Sequence, residues 1–319
     1  KRSMKKLIML MSEFGAEFLP KNKYNFPLKL ISTEMPVGIN YKAGVSAQLK
    51  SAVILAGLNS YGTTEIIEKE KSRDHSENLL RSNVKAIQIK NGRKKIIKVF
   101  GKKQLNSINI DIPGDPSSAA FFTALTLLKK KSSLKIKKVG LNPTRIGFYD
   151  LLKKYGAKIN FSNIKKNNNE IYGDINIKSC KIKPLKASKE YYVKATDEYP
   201  ILFVIAGLTK GLSTFKGIGD LANKESNRIK EMQKILKQIG IKTVSNKNEI
   251  KIYGKDNIKI KNKIINVPSL GDHRICMASL ILSLLLGIKI RINGFETVYT
   301  SSPSFLKIIK SLGGNYEIK

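Results

Sequence analysis

The sequence predicts an α/β fold of repeated β-α-β-α-β-β units, gathered into globular lobes with buried inner helices and sheets outside. Three observations carry this prediction. First, four segments share one design, a polar turn, a nearly all-apolar helix and then a short strand. They are VSAQLKSAVILAGL (45–58), GDPSSAAFFTALTLL (114–128), TDEYPILFVIAGL (196–208) and GDHRICMASLILSLLLG (271–287). A helix that is apolar on every side should be buried on every side. Second, after the strand (SLKIKKVG, STFKGI, IKIRINGF) comes a helix with a single apolar stripe. Third, ILAGL (54–58) and VIAGL (204–208) are nearly identical. That marks internal repetition with a period of roughly 70–80 residues, longer than common solenoid repeats.

Taken in order, the chain opens with KRSMKKLIMLMSEFG, whose apolar stretch Leu7–Met11 is too short for a signal peptide. It reads as an amphipathic helix over Met4–Phe14 that lacks its preceding half-unit. The first apolar helix follows at 45–58, then an amphipathic one at Arg73–Ser82. VKAIQIKNGRKKIIKVF is a hairpin, with Asn91-Gly92 as its turn signal. INIDI is a strand, and Pro113-Gly114 after it is the expected crossover, giving lobes of residues 1–113 and 114–319. The second lobe adds amphipathic helices at Pro143–Tyr155, Lys224–Ile239 and Pro303–Leu312. Glycine ends most of these helices, at Gly15, Gly156, Gly240 and Gly313. KESNRIKEMQKILKQIG (224–240) is the most explicit of them. Its apolar stripe is Ile229, Met232, Ile235, Leu236 and Ile239, and Lys224, Glu225 and Arg228 fall in the expected first turn.

Composition narrows the function. A hydrophobic content of 41% with 26% charged residues belongs to a folded globular chain. The net charge of +35 suggests nucleic acid at first sight, but the lysines are spread over every segment without a dense tract. Aromatics such as Phe121, Phe122, Tyr149 and Phe203 fall on apolar helix faces instead of interleaving with a basic stripe. Cys180 and Cys276 are far apart and no metal-type Cys/His spacing occurs, so neither a disulfide framework nor a zinc site is indicated. The longest apolar run, Met277–Gly287, is too short to cross a bilayer.

No P-loop, HExxH or GxSxG motif occurs. Gly217-x-Gly219-x-x-Ala222 has the spacing of a dinucleotide fingerprint, but no convincing acidic partner follows it. His75 and His273 each follow an Asp at a helix start, where a structural role is the simpler reading. The polar clusters instead share one address, the N-terminal turns of the repeated helices. These are Ser46/Gln48, Arg73/Asp74, Asp115, Asp197/Glu198, Lys224/Glu225/Arg228 and Asp272/Arg274. Helix N-termini and rigid Arg forks favour anions, and Asp197 and Glu225 are available for proton transfer. The competing reading is that Asp, Ser and Thr here are ordinary N-caps, which for Asp115 and Ser117 is at least as good.

SAQLKSAVILAGLN, SRDHSENLL, PGDPSSAA, DEYPIL, KESNR and DHR, in this order, resemble the 5-enolpyruvylshikimate-3-phosphate synthase (3-phosphoshikimate 1-carboxyvinyltransferase) family along the whole chain. The resemblance implies the two-lobed enolpyruvyl transferase fold, three β-α-β-α-β-β units per lobe, closing around the substrates. It implies transfer of the enolpyruvyl group of phosphoenolpyruvate to the 5-hydroxyl of shikimate 3-phosphate, by addition–elimination with release of phosphate. This step of the shikimate pathway to aromatic amino acids uses no metal or organic cofactor. Ser46, Ala47, Gln48, Arg73, Asp197 and Lys224 would hold shikimate 3-phosphate. Arg2, Gln48, Arg228 and Arg274 would hold phosphoenolpyruvate. Asp197 would accept the hydroxyl proton and Glu225 would handle the methylene proton. A cytoplasmic monomer with no nucleic-acid or membrane partner is implied. The sibling enzymes acting on UDP-N-acetylglucosamine share the fold but not the KESNR and SRDH motifs. Asn227 stands where the family usually has Asp, Ser3 replaces a Pro, and Thr300 occupies a place where one branch has a Lys. The family's N-terminal part, with a bridging Lys and a further Arg, has no counterpart in the 319 residues. The first lobe is therefore expected to be incomplete, and the chain by itself inactive.

Overall fold

A computed structural model describes residues 3–258 and 264–318. Two compact units emerge. The first runs to Ile112 and also takes in Lys165–Ile171. The second comprises Pro113–Ile164 and the chain from Tyr172 onward.

The first unit contains α1 (Lys5–Glu13), β1 (Glu17–Leu19), β2 (Lys29–Ile31), β3 (Asn40–Ala43), α2 (Ala47–Asn59), β4 (Thr63–Glu68), α3 (His75–Leu80), β5 (Ile87–Lys90) and β6 (Lys95–Phe100). Strand β3 pairs parallel with β4, and β4 and β5 pair antiparallel with β6, giving the order β3-β4-β6-β5. Alternation along β4 and β6 turns Ile66, Ile97 and Val99 inward against Val53 and Ile54 of α2, with Leu10 and Phe14 nearby. The β5–β6 hairpin forms as expected, but its connection spans residues 91–94, wider than a two-residue Asn-Gly turn.

In the second unit the chain continues through α4 (Pro116–Leu128), β7 (Ser133–Gly140), α5 (Gly147–Lys154), β8 (Lys158–Asn167) and β9 (Glu170–Lys178). The tip joining β8 to β9 groups with the first unit. Then come β10 (Lys186–Ala187), α6 (Lys189–Ala195), α7 (Tyr199–Gly207), β11 (Gly211–Lys216), α8 (Arg228–Gln238), β12 (Lys242–Ser245) and β13 (Glu249–Gly254). The last elements are β14 (Ile264–Val267), α9 (His273–Leu286), β15 (Lys289–Ile292) and α10 (Phe305–Ser311). The sheet β10-β11-β13-β12 has the same order and strand senses as β3-β4-β6-β5. In β7-β9-β8 the leading strand shrinks to one parallel bridge, Gly114 to Val139. Strands β14 and β15 pair in parallel. Asn40, Gly114, Lys186 and Ile264 therefore open equivalent units, roughly 70–80 residues apart.

Helices α4, α7 and α9 are the inner helices of the second unit and pack on one another. Every residue of α7 is buried, and α4 and α9 are buried over most of their surface. Fully burying one such Leu, Ile or Phe contributes about 1.5–3 kcal/mol, which makes these helices the main stabilising element. Phe121 and Phe122 of α4 close on Phe305 of α10, and Tyr199, Phe203 and Phe215 form an edge-to-face cluster. Helix α2 is not enclosed in this way. It buries only Lys50, Val53, Ile54 and Gly57, one stripe, while Leu55 is 59% exposed. Its described neighbours are α1 and its own sheet, with no pair of inner helices to enclose it.

Two glycines repeat a packing solution. A Cβ on Gly254, at the end of β13, would overlap the carbonyl oxygens of Ala206 and Thr209 at the exit of α7. A Cβ on Gly101, after β6, would overlap the Ser60 and Gly57 carbonyls at the exit of α2. In both four-stranded sheets the strand latest in the chain, β6 or β13, lies too close to the helix end for any side chain.

Candidate active site

The site begins with helix starts. Asp115 caps α4, its carboxylate accepting from Ser117 N at 3.2 Å and Ser118 N at 2.9 Å. Asp272 caps α9, accepting from Arg274 N at 3.0 Å. Asp197 and Glu198 lie in a 3-10 turn (Thr196–Glu198) leading into α7, where Pro200 takes an early position that needs no N–H donor. One expectation needs correcting here. Helix α8 starts at Arg228, not Lys224, because the Asn227 side chain accepts from Lys230 N at 3.1 Å and caps it. Lys224 and Glu225 precede the helix.

Two guanidinium groups, of Arg228 and Arg145, hold this part together, and a third, of Arg274, lies among them. Arg228 reaches Asp272 (Nε to Oδ2, 2.9 Å), Glu225 (Nη2 to Oε2, 2.7 Å) and, more distantly, Asp197 (Nη1 to Oδ1, 3.8 Å). Arg145 joins Asp115 (Nη2 to Oδ1, 3.0 Å) to Asp197 (Nη1 to Oδ2, 3.1 Å). Arg274 lies with its guanidinium carbon 5.9 Å from the centre of the Phe121 ring. Arg228 Nη1 and Arg274 Nε and Nη1 are buried and have no hydrogen-bond partner among the described residues. Lys224 is drawn elsewhere, its Nζ 2.6 Å from Asp220.

Ionisation follows the local partners. Burial opposes charge on Asp272, but Arg228, Ser226 and Arg274 N together hold its carboxyl below the ordinary range. Burial likewise opposes charge on Asp115, where Arg145, Arg274 and two backbone N–H groups prevail. Glu198 goes the other way. It is 1% exposed, it accepts from Ser117 Oγ, and its Oε2 has no hydrogen-bond partner among the described residues, so burial raises its carboxyl above the usual value. Burial and the neighbouring Arg274 lower His273, which keeps the imidazole neutral and fits the structural role expected of it.

In the first unit, Ser46 caps α2 by accepting from Leu49 N at 3.4 Å, Ala47 opens the helix and Gln48 is exposed one residue later. Arg73 is half-buried in the segment between β4 and α3. A buried four-charge network lies behind them. Lys50 Nζ sits 2.9 Å from Glu68 and 2.7 Å from Glu77, and Lys95 Nζ sits 2.8 Å from Glu77. Glu68 also accepts from Ser72 N and Oγ, which ties down the residue before Arg73. Arg2 lies outside the described residues. The two Gly of the dinucleotide-like spacing lead into a 3-10 turn (Gly219–Asn223), not an α-helix, and a Cβ at Gly217 would crowd Lys189. That spacing serves packing.

The sequence placed Glu198 and Asp272 among the polar clusters at helix starts without assigning either a role, and it assigned none to Arg145. For Arg145 the signal lies in the scarcity of arginine beside abundant lysine and in its place within the expected helix Pro143–Tyr155.

A family profile for EPSP synthase (3-phosphoshikimate 1-carboxyvinyltransferase) matches residues 1–309. The chain belongs to the EPSP synthase family. The 3-phosphoshikimate 1-carboxyvinyltransferase of Zymomonas mobilis is 34% identical over 322 residues, covering 100% of this chain and 71% of the relative. That of Petrotoga mobilis is 37% identical over 314 residues, covering 98% and 71%. Among solved structures, an EPSP synthase from Acinetobacter baumannii aligns with a TM-score of 0.79 at 32% identity, over 97% of this chain and 70% of that one. The enolpyruvyl transferase NikO from Streptomyces tendae, 13% identical with a TM-score of 0.74 over 98% and 71%, shares the fold.

Proposed function

We propose that this EPSP synthase family member transfers the enolpyruvyl group of phosphoenolpyruvate to the 5-hydroxyl of shikimate 3-phosphate as a cytoplasmic monomer. The observation that carries the reading is the set of buried N–H donors on Arg228 and Arg274 that have no hydrogen-bond partner among the described residues, close to Asp272, whose carboxyl is held below the ordinary range. A buried cationic donor without a partner is costly, and such groups are kept where a ligand satisfies them. Two guanidinium forks suit a ligand bearing both a carboxylate and a phosphate, as phosphoenolpyruvate does.

Arg228 and Arg274 then grip phosphoenolpyruvate, as Gln48 and Arg2 do in the motif assignment. Ser46, Ala47, Gln48 and Arg73 are assigned to shikimate 3-phosphate, and so is Lys224. Asp197 takes the 5-hydroxyl proton as that oxygen bonds to C2 of phosphoenolpyruvate. Glu225 supplies a proton to the methylene carbon. Elimination returns a proton from that carbon and expels phosphate from C2. No step calls for a metal or cofactor.

The test is phosphate release by the full-length protein, which should require both substrates together. Arg274→Lys keeps the charge but loses the fork, and should weaken phosphoenolpyruvate binding roughly ten- to hundredfold. Unchanged affinity with only lower thermal stability would reduce Arg274 to a helix-start residue.

A further inference from the structure

Beyond the groups assigned to substrates, we infer that Arg145 is a positioning residue that fixes Asp197 and holds it ionised for its role as proton acceptor. The inference rests on the proposed function for the meaning of that role, but its geometry stands independently. Arg145 comes from the LNPTRI segment after β7, whose shape is set locally. Asn142 Oδ1 accepts from Thr144 N at 2.9 Å and Thr144 Oγ1 at 2.7 Å, and Arg145 N donates to the Asn142 carbonyl at 2.8 Å. Its side chain is 13% exposed, so the guanidinium is held in a fixed place instead of swinging in solvent.

From there one edge of the fork is anchored. Asp115 is itself immobilised by Ser117 N, Ser118 N and Ser118 Oγ at the start of buried α4. The other edge donates to Asp197 Oδ2 at 3.1 Å. A rigid line thus runs from the α4 N-terminus through Asp115 and Arg145 to Asp197. A Lys could make either contact but not both, since only the planar guanidinium presents two parallel edges.

Among the described residues, Arg228, 3.8 Å from Oδ1, and the buried Glu198 next in the chain also face Asp197. Glu198 repels an ionised Asp197, and Arg145 offsets that repulsion, being attracted by Glu198, Asp115 and Asp197 alike. A cation this close favours the charged form of a carboxylate. Asp115 shares the same cation, so neutralising Asp115 should leave more of its field to Asp197.

The two directions give the experiment. The titration of Asp197 would be followed by carboxyl-13C NMR in the full-length protein, assigned with Asp197→Asn, for the parent, Arg145→Gln, Arg145→Lys and Asp115→Asn. Arg145→Gln should move the midpoint up by about one pH unit, Arg145→Lys should hold it near the parental value, and Asp115→Asn should hold it or move it down. In turnover assays, Arg145→Gln and Arg145→Lys should both lower kcat more than they raise KM for phosphoenolpyruvate. A folded Arg145→Gln protein with the parental Asp197 midpoint would overturn the inference, as would shifts of the same sign from Arg145→Gln and Asp115→Asn. Absence of phosphate release from the parent would sink the functional reading alone, because the titration decides the role of Arg145 without substrates.

Discussion

Asp115 and Glu198 are both buried carboxyls near Arg145, yet their surroundings push them in opposite directions. Asp115 accepts two backbone N–H bonds and an Arg contact, enough to outweigh burial. Among the described residues Glu198 has one hydroxyl donor and an oxygen with no hydrogen-bond partner, so burial prevails. The sign of the resulting pH dependence follows. A carboxyl raised in the folded state contributes stability below its unfolded value near 4.3, and that contribution is lost as pH rises through the folded value. Glu198→Gln removes the titration, so its stability relative to the parent should increase steadily above about pH 4. Urea unfolding of both proteins at pH 4 and pH 8 checks this, and a pH-independent difference would refute it. Glu225 is a different case. It is partly exposed and lies 2.7 Å from Arg228. Glu225→Gln should cut kcat by about 10²–10⁴ while shikimate 3-phosphate still binds, measured by calorimetry.

At the scale of elements, the repeat is written in close approaches as well as in topology. In both four-stranded sheets the chain leaving β6 or β13 donates back to the helix exit, Lys102 N to the Leu58 carbonyl and Lys255 N to the Gly207 carbonyl. Gly101 and Gly254 precede those residues and leave no room for Cβ. Gly254→Ala should therefore destabilise the second unit by about 1–3 kcal/mol, since the obstruction is backbone that cannot rotate away. A melting temperature within error of the parent would show that β13 can slide relative to α7. Helix α8 carries a second lesson. Its charged prelude, KES, lies outside the helix because Asn227 caps one turn later than the sequence pattern suggests, which frees Glu225 and Lys224 to take separate partners, Arg228 and Asp220.

For the whole molecule, the contrast between α2 and the trio α4, α7 and α9 sets the distribution of local stability. In the trio α7 is wholly buried and α4 and α9 nearly so, whereas α2 leaves Leu55 exposed and buries one stripe over its sheet. Local opening is easiest where few apolar contacts must break. Amide hydrogen exchange should thus be slowest in α4, α7 and α9, and orders of magnitude faster in α2 and β4. Equal protection in α2 and α7 would contradict this account.

The sequence by itself determined the repeat, the alternation of all-apolar and striped helices, and the family motifs. Each of these is a local pattern of hydrophobicity or residue order, such as the ILAGL and VIAGL segments or KESNR. It also located the polar clusters at helix starts, since capping chemistry is local too. The tertiary structure decided which of those starts meet. Arg145 lies 52 positions from Asp197 and Asp272 lies 44 from Arg228, and no spacing rule connects them. It also decided that Glu198 is buried while its neighbour Asp197 is reached by two guanidinium groups, and that α2, apolar all round in sequence, is buried on one face. Burial and ion pairing depend on what packs against a residue, and that is settled only when distant segments come together.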